Sequence, residues 1–331
     1  MYHCAVEPYM KTYFSKGDLG DVMIRVYQRG LQSLVSRFGL SSTARTRNTF
    51  NHNFSISIWN MIPEVRERLN QMASGNPKVP YEQYVIDQYL QGKSNLKLLS
   101  IGCGSASHEL YFAEHGPFEL VHGVDLAPGL IRQAQSKAEE KGLTNCRFEV
   151  RDFNELAIPE SYDIVLFHQS LHHFKDFEAI YSAFVVPVLK PDGYLVLNEF
   201  VGPTRLQWTR AQLKASRKML KQLPEKYRQI LNTPFTKRTV SRPGIFRMLL
   251  SDPSESINSQ QIMPATHQHF KVVEEKPLGG NILHLLLKDI AHNFCTADPE
   301  AQAWLRKCFE AEDAFLRDHP DDFVFGVYCK P

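Results

Sequence analysis

The stretch Lys97-Leu98-Leu99-Ser100-Ile101-Gly102-Cys103-Gly104-Ser105-Ala106-Ser107-His108-Glu109-Leu110 constrains this chain more than any other. A short apolar run ends in two glycines separated by one residue, and a helical pattern follows. That order reads as strand, tight turn and helix. Gly102 lets the chain turn sharply, and Gly104 lets the backbone approach a ligand with no Cβ in the way. The amides that open the next helix would face a polar or anionic group. Such a glycine pair, alone, does not name its ligand.

The residues that follow narrow the choice. Val121–Leu126 reads as a second strand, with Asp125 at its end. Asp125 comes roughly twenty residues after Gly102, where an acidic side chain can take ribose hydroxyls. A third strand, Cys146–Val150, runs into Arg151-Asp152-Phe153, and a fourth, Tyr162–Phe167, into His168-Gln169-Ser170. Leu189-Lys190-Pro191-Asp192-Gly193 reads as a turn before a fifth strand, Tyr194–Glu199. Helical patterns over Ser107–Ala113, Gly129–Lys141 and Asp176–Val188 separate the strands. The alternation indicates an α/β fold, a parallel sheet with helices on both faces. Ligands bind such sheets at the carboxyl ends of the strands, where the strand order switches. Gly102, Asp125, Asp152, His168 and Glu199 all fall near such ends.

With these motifs in this order, the chain resembles the class I S-adenosylmethionine-dependent methyltransferases over roughly residues 80–203 and two C-terminal strands. The resemblance implies a Rossmann-like seven-stranded methyltransferase sheet closed by an antiparallel last strand, Phe323–Cys329, with S-adenosylmethionine as cofactor. It implies that Ser100, Gly102, Gly104, Asp125, Leu126, Asp152, Phe153 and His168 bind that cofactor. Two positions depart from the family. Ser100 stands where an Asp or Glu usually holds the methionine amino group, directly or through water. That contact then falls to carbonyls, water or another side chain. Ala106 stands where a third glycine is frequent. An NAD(P)-dependent oxidoreductase is the first rival, because Gly102-x-Gly104 with Asp125 partly fits that fingerprint. Its third glycine would fall at Ser107, and Asp152-Phe153 would have no role. A catalytically inactive, methyltransferase-like binding protein is the second rival.

The sulfonium of S-adenosylmethionine carries the reactive methyl group, so the protein need only bind, align and deprotonate. His168-Gln169-Ser170-Leu171 lacks the Asn/Asp-Pro-Pro-aromatic signature of many nucleic-acid and protein amine methyltransferases. Transfer to an oxygen or nitrogen of a small molecule is the expectation. His172 and His173 are the base candidates, having the right unperturbed pKa. Glu199 could orient a hydroxyl, or instead bond to the loop Val201-Gly202-Pro203. His168, His172 and His173 suggest zinc, yet no closing Cys or carboxylate stands at diagnostic spacing. No metal is expected.

A chain of 331 residues holds one large domain with room for insertions. Residues 1–80 read as an N-terminal helical lid and 81–203 as the cofactor-binding core. Residues 204–268 read as a helical cap inserted between strands five and six, and 269–331 as the completion of the sheet. A basic amphipathic helix is expected over Asp21–Phe38, and Trp59, Tyr81 and Tyr84 are candidate lid aromatics. A net charge of +2 argues against a dedicated nucleic-acid binder. The cap carries a basic excess that includes Lys214, Arg217, Lys218 and Lys221. Its ordinary reading is a solvated helix face; its sharper reading is attraction of an acidic or lipid-linked acceptor. Six scattered cysteines without CxxC pairs, no apolar run of membrane length and no signal-peptide pattern point to the cytoplasm. The oligomeric state is left open.

Overall fold

The computed structural model describes residues 11–29, 57–152 and 160–331. Phe153 lies outside them, as does the second half of the basic helix expected over Asp21–Phe38; the described helix there is α1 (Lys16–Arg29).

Two helices, α2 (Pro63–Ser74) and α3 (Tyr81–Tyr89), precede the sheet. Pro63 opens α2, where its missing N–H and fixed φ cost nothing, and Gly75 closes it at φ 81. Then β1 (Leu96–Ile101), α4 (Ser107–His115), β2 (Phe118–Asp125), α5 (Pro128–Glu140), β3 (Cys146–Val150) and β4 (Tyr162–His168) alternate. A single 3-10 turn (Leu171–His173) leads to α6 (Phe177–Ile180), which continues through a π turn (Tyr181–Val185) into β5 (Leu189–Phe200). Before β6 (Lys271–Pro277) come α7 (Arg210–Gln222), α8 (Ile245–Ser251) and α9 (Ile262–His269). The chain closes with α10 (Leu283–Leu287), α11 (Pro299–Leu316) and β7 (Phe323–Cys329).

The seven strands form one sheet in the order β3-β2-β1-β4-β5-β7-β6. β7 pairs antiparallel with both its neighbours, while the strands from β3 to β5 run parallel. The order reverses between β1 and β4, which puts a crevice at their carboxyl ends. Side chains alternate across the strands as the pleat demands. Leu98, Ile164, Leu166 and Val196 enter one core with α2, α3 and α7. Leu99, Ile101, Val165, Phe167, Leu195 and Leu197 enter the other with α6. Both faces are covered, so these strands read as nearly continuous apolar runs.

Two expectations change in detail. The Leu189–Gly193 turn lies inside β5: Leu189 pairs with Tyr162 and Tyr194 with Ile164, so residues 190–193 loop out. Lys190 in that loop holds Asp163 at 2.9 Å. The helical pattern over 204–231 breaks into a 3-10 turn at Thr204–Leu206, α7, and another 3-10 turn at Glu225–Arg228. Thr209 starts α7 with a capping box to Gln212, and the chain leaves the helix at Leu223 just before Pro224.

Candidate active site

The glycine turn sits against the end of β4. Gly102 has φ 74, and a Cβ built there would lie 2.6 Å from the Ser170 Cβ. Its missing side chain therefore admits Ser170, whose hydroxyl donates to the Ile101 carbonyl at 2.6 Å. Gly104 has φ 55 and nothing within 4 Å of a built Cβ, so its bare backbone faces open space. Ala106, at the third-glycine position, is itself left-handed at φ 61 and almost fully buried. Glycine suits that backbone better than any L-residue.

Asp125 ends β2 and spans the crevice. One carboxylate oxygen accepts from the Gly104 amide at 2.9 Å and the other from the Ala127 amide at 2.8 Å. Each oxygen keeps a further lone pair for a ribose hydroxyl. Burial pushes its pKa up, while the Ala127 and Gly104 amides pull it back down. Leu126 and Asp152 are half-buried at the ends of β2 and β3. Ser100 is fully buried and donates to Glu109 of α4 at 2.5 Å.

The end of β4 opens onto two adjoining cavities of roughly 520 and 440 Å³, and His168 and Gln169 line both. The His168 Nδ1 and the Tyr81 hydroxyl are hydrogen-bonded at 3.0 Å. The His168 ring stacks on His108, with centroids 3.5 Å apart, and His108 bonds to Glu82. Burial, with the neighbouring His108, pushes the His168 pKa far down and keeps the ring neutral. Gln169 takes φ 50, a strained value for a residue with a side chain. Its side-chain amide bonds to the Asn198 carbonyl at 3.3 Å.

Beyond Gln169 lies a charge cluster. Glu199 is fully buried and spends its oxygens on the protein: it accepts from the amides of Ser170, Leu171 and Phe200 and pairs with His172 Nδ1 at 2.5 Å. It therefore fixes the loop after β4 and does not line either cavity. His172 lines the larger one, with its Nε2 3.8 Å from Glu255. Burial alone would push His172 down, but the Glu199 charge and bond lift its pKa to about 9. His173 is pushed down by burial and by the charge on His172. Its Nδ1 meets the Ser254 hydroxyl at 3.0 Å. Potential metal-binding atoms of His172, His173 and Glu255 all lie within 4.8 Å of one another. Glu199 and Glu255 flank the two ring nitrogens of His172. The zinc set of three histidines is not assembled, because His168 belongs to the Tyr81 and His108 stack.

The segment between β5 and β6 folds over this cluster. Arg205 donates to the Pro253 and Glu255 carbonyls, and the Ile257 amide donates to the His172 carbonyl at 3.1 Å. It contributes Trp208 and Glu255 to the larger cavity, which Trp59, Phe200, Phe323 and His284 complete. The exposed Lys214, Lys218 and Lys221 of α7 line neither cavity; the cations that do are Arg25, Arg247, Lys288 and Arg66. Tyr84 donates instead to Glu274, at the sheet edge. Sequence reasoning missed Glu255, which sits in no motif, and Glu109.

Residues 92–268, more than half of the chain, match the family model described as a methyltransferase domain. The chain belongs to the methyltransferase-domain family. The oxidoreductase reading finds no support in these matches. The chain is 29% identical over 111 residues to a malonyl-[acyl-carrier protein] O-methyltransferase of Acetivibrio thermocellus, covering 34% of this chain and 38% of that one. It is 30% identical over 149 residues to a demethylmenaquinone methyltransferase of Thermus thermophilus, covering 44% and 66%. It therefore spans less than two thirds of either relative. Among solved structures, phosphoethanolamine N-methyltransferase 2 of Haemonchus contortus overlaps 88% of this chain and 61% of its own, at 17% identity and a TM-score of 0.49. Among the described residues no helix is long and apolar enough to cross a membrane. The residues of this site fit S-adenosylmethionine: Gly104 is open, Asp125 has spare lone pairs, and among the described residues one buried Glu109 oxygen has no hydrogen-bond partner.

Proposed function

We propose that the chain transfers a methyl group from S-adenosylmethionine to an oxygen or nitrogen of a small molecule seated in the larger cavity. The observation that carries this reading is the convergence at β4. Gly102 packs on Ser170, and the next residues back, Gln169 and His168, line the cavity that holds His172. Cofactor loop and acceptor chamber thus share one wall.

The cofactor supplies an electrophilic methyl carbon on a sulfonium. Asp125 would hold the ribose hydroxyls, and Gly104 would leave room for the nucleoside against the loop backbone. The aromatic walls from Trp59, Phe200, Trp208 and Phe323 hold the acceptor and exclude water. Among the described residues, buried Trp208 Nε1 and His284 Nδ1 have no hydrogen-bond partner, so they form a donor and an acceptor for a polar group. Burial, then Lys288, lowers the His284 pKa to about 4 and keeps that ring neutral. The acceptor's proton passes to Nε2 of the deprotonated form of His172, which predominates only above its pKa of about 9, so the rate should rise with pH toward that value. Glu199 on Nδ1 and Glu255 beside Nε2 stabilise the imidazolium that results. Glu199 is a positioning residue in this scheme. A base with so high a pKa suits an acceptor of comparable acidity, such as a phenol or an ammonium.

Incubation with trideuteromethyl-labelled cofactor and a panel of phenols, carboxylic acids and amines tests the reading by mass spectrometry. The expected result is one small molecule that gains a single labelled methyl group, with His172→Ala losing most of the rate. Label found in protein or nucleic acid, and in no small molecule, contradicts it.

A further inference from the structure

Lys288 brings an unused positive charge to the wall of the larger cavity. It follows α10 directly and is half-buried. Its ordinary use would be to cap that helix, since a cation suits the carbonyl end of a helix. The place is already taken. The Lys237 ammonium, arriving from the cap segment, donates to the carbonyls of Leu285, Leu286 and Lys288 at 2.9, 3.1 and 2.7 Å. Among the described residues the Lys288 ammonium itself has neither a hydrogen bond nor an ion pair. The other cations on this wall are engaged: Arg247 pairs with Asp18 at 2.9 Å and Asp21 at 3.0 Å, and Arg25 is likewise not free. Taking an ammonium part-way out of water is unfavourable unless an anion arrives to pair with it.

A donor without an acceptor lines the same cavity. The Trp208 indole is 3% exposed, and among the described residues its Nε1 has no hydrogen-bond partner. An indole N–H can only donate. His284 links the two groups: its ring meets Trp208 edge-on with centroids 6.0 Å apart, and after burial the Lys288 charge is the next cause of its lowered pKa. An ammonium and an N–H around one neutral ring call for an oxygen anion. Glu255 and Asp252 line the cavity from the His172 side, which disfavours a doubly charged phosphate and leaves a carboxylate. We propose that the acceptor is a carboxylic acid with a flat apolar body. Its carboxylate pairs with Lys288 and accepts from Trp208 Nε1, while its hydroxyl or amine faces His172. The rings of Trp59, Phe200 and Phe323 hold the body between these two poles. Lys288 is then the residue that determines specificity. The inference rests on the larger cavity being the acceptor chamber, and it adds the acceptor's chemical class.

2-Naphthoate and 2-naphthamide share their rings and nearly their shape, and only the first is charged. In calorimetric titration of the full chain, saturated with S-adenosylhomocysteine, naphthoate should bind at least roughly tenfold more tightly than the amide. Lys288→Met keeps the aliphatic stem and removes the charge. It should abolish the preference and leave S-adenosylhomocysteine affinity unchanged, while Lys288→Arg retains the preference. Should Lys288→Met fail to fold, Lys288→Gln takes its place. Equal affinities in the wild type, no binding of naphthoate, or a preference that survives loss of the Lys288 charge overturns the inference. Tighter binding of 2-naphthyl phosphate than of naphthoate overturns the carboxylate assignment. The labelled-cofactor incubation keeps the two readings apart. Uncharged phenols methylated as fast as phenolic acids overturn this inference alone and leave the transfer reading standing. Label that enters no small molecule removes the transfer reading, and with it the acceptor, even where naphthoate binds.

Discussion

Replacing Glu199 by Gln should remove a pH dependence that this fold carries in its centre. The groups facing His172 are Glu199 from β5, Glu255 and Asp252 from the segment before α9, and the adjacent His173. The Glu199, Glu255 and Asp252 carboxylates raise the His172 pKa from 6.5 to about 9 in spite of its burial. A group whose folded pKa is raised contributes stability that is complete below its unfolded value and is lost as the pH climbs through the folded one. The window therefore runs from 6.5 to about 9. At 1.36 kcal/mol per pKa unit the shift corresponds to roughly 3 kcal/mol. Glu199→Gln takes away the largest favourable contribution, and burial then drives His172 below its ordinary value. Urea unfolding of both proteins across this window should show the wild type losing about 2–3 kcal/mol more than the variant. The variant will be weaker at every pH, since an amide group cannot accept from Ser170, Leu171, Phe200 and His172 as a carboxylate does. Only the difference in slope reports on the pair. Proton NMR of the His172 ring gives the midpoint directly. Parallel stability profiles, or a His172 midpoint near its ordinary value in the wild type, would refute the reasoning.

Asp125→Ala should weaken cofactor binding at least roughly tenfold, about 1.4 kcal/mol, because charge-assisted bonds to ribose hydroxyls are worth about 1.5–3 kcal/mol each; an unchanged dissociation constant in calorimetry means Asp125 does not hold the ribose. Ala106→Gly should stabilise the fold by roughly 0.5–1 kcal/mol, since a left-handed L-residue costs about 1–2 kcal/mol and the extra freedom of unfolded glycine returns about 0.4–1. A lower denaturation midpoint would show that the Ala106 methyl packing outweighs the strain. Reversing Lys214, Lys218 and Lys221 to Glu should leave the Michaelis constant for the acceptor and its salt dependence unchanged, because these exposed side chains line neither cavity. A raised constant would favour a charged acceptor guided by that face.

How much of this was legible in the sequence depended on whether a feature was local. Cys146–Val150 and Phe323–Cys329 are read to the residue because short apolar runs bounded by turn residues have one plausible solution. The outlooped residues 190–193 were read as a simple turn, since nothing local reveals that Leu189 still pairs with β4. Asp125 and His168 were legible because each ends a strand, and Gly104 because it lies in the turn just after one. Glu109 was not, because its contact depends on how α4 lies over β1. A signal was present all the same: an uncharged Ser100 where an acid was expected, and an acid in the first turn of the following helix. Glu255 gave no signal, since only the folded cap brings it to His172.

The most direct test of the central claim is a calorimetric titration of the wild-type chain with S-adenosylhomocysteine and, separately, with NAD. The site described here predicts saturable one-to-one binding of S-adenosylhomocysteine and no detectable heat from NAD. Binding of NAD in preference to S-adenosylhomocysteine would contradict it.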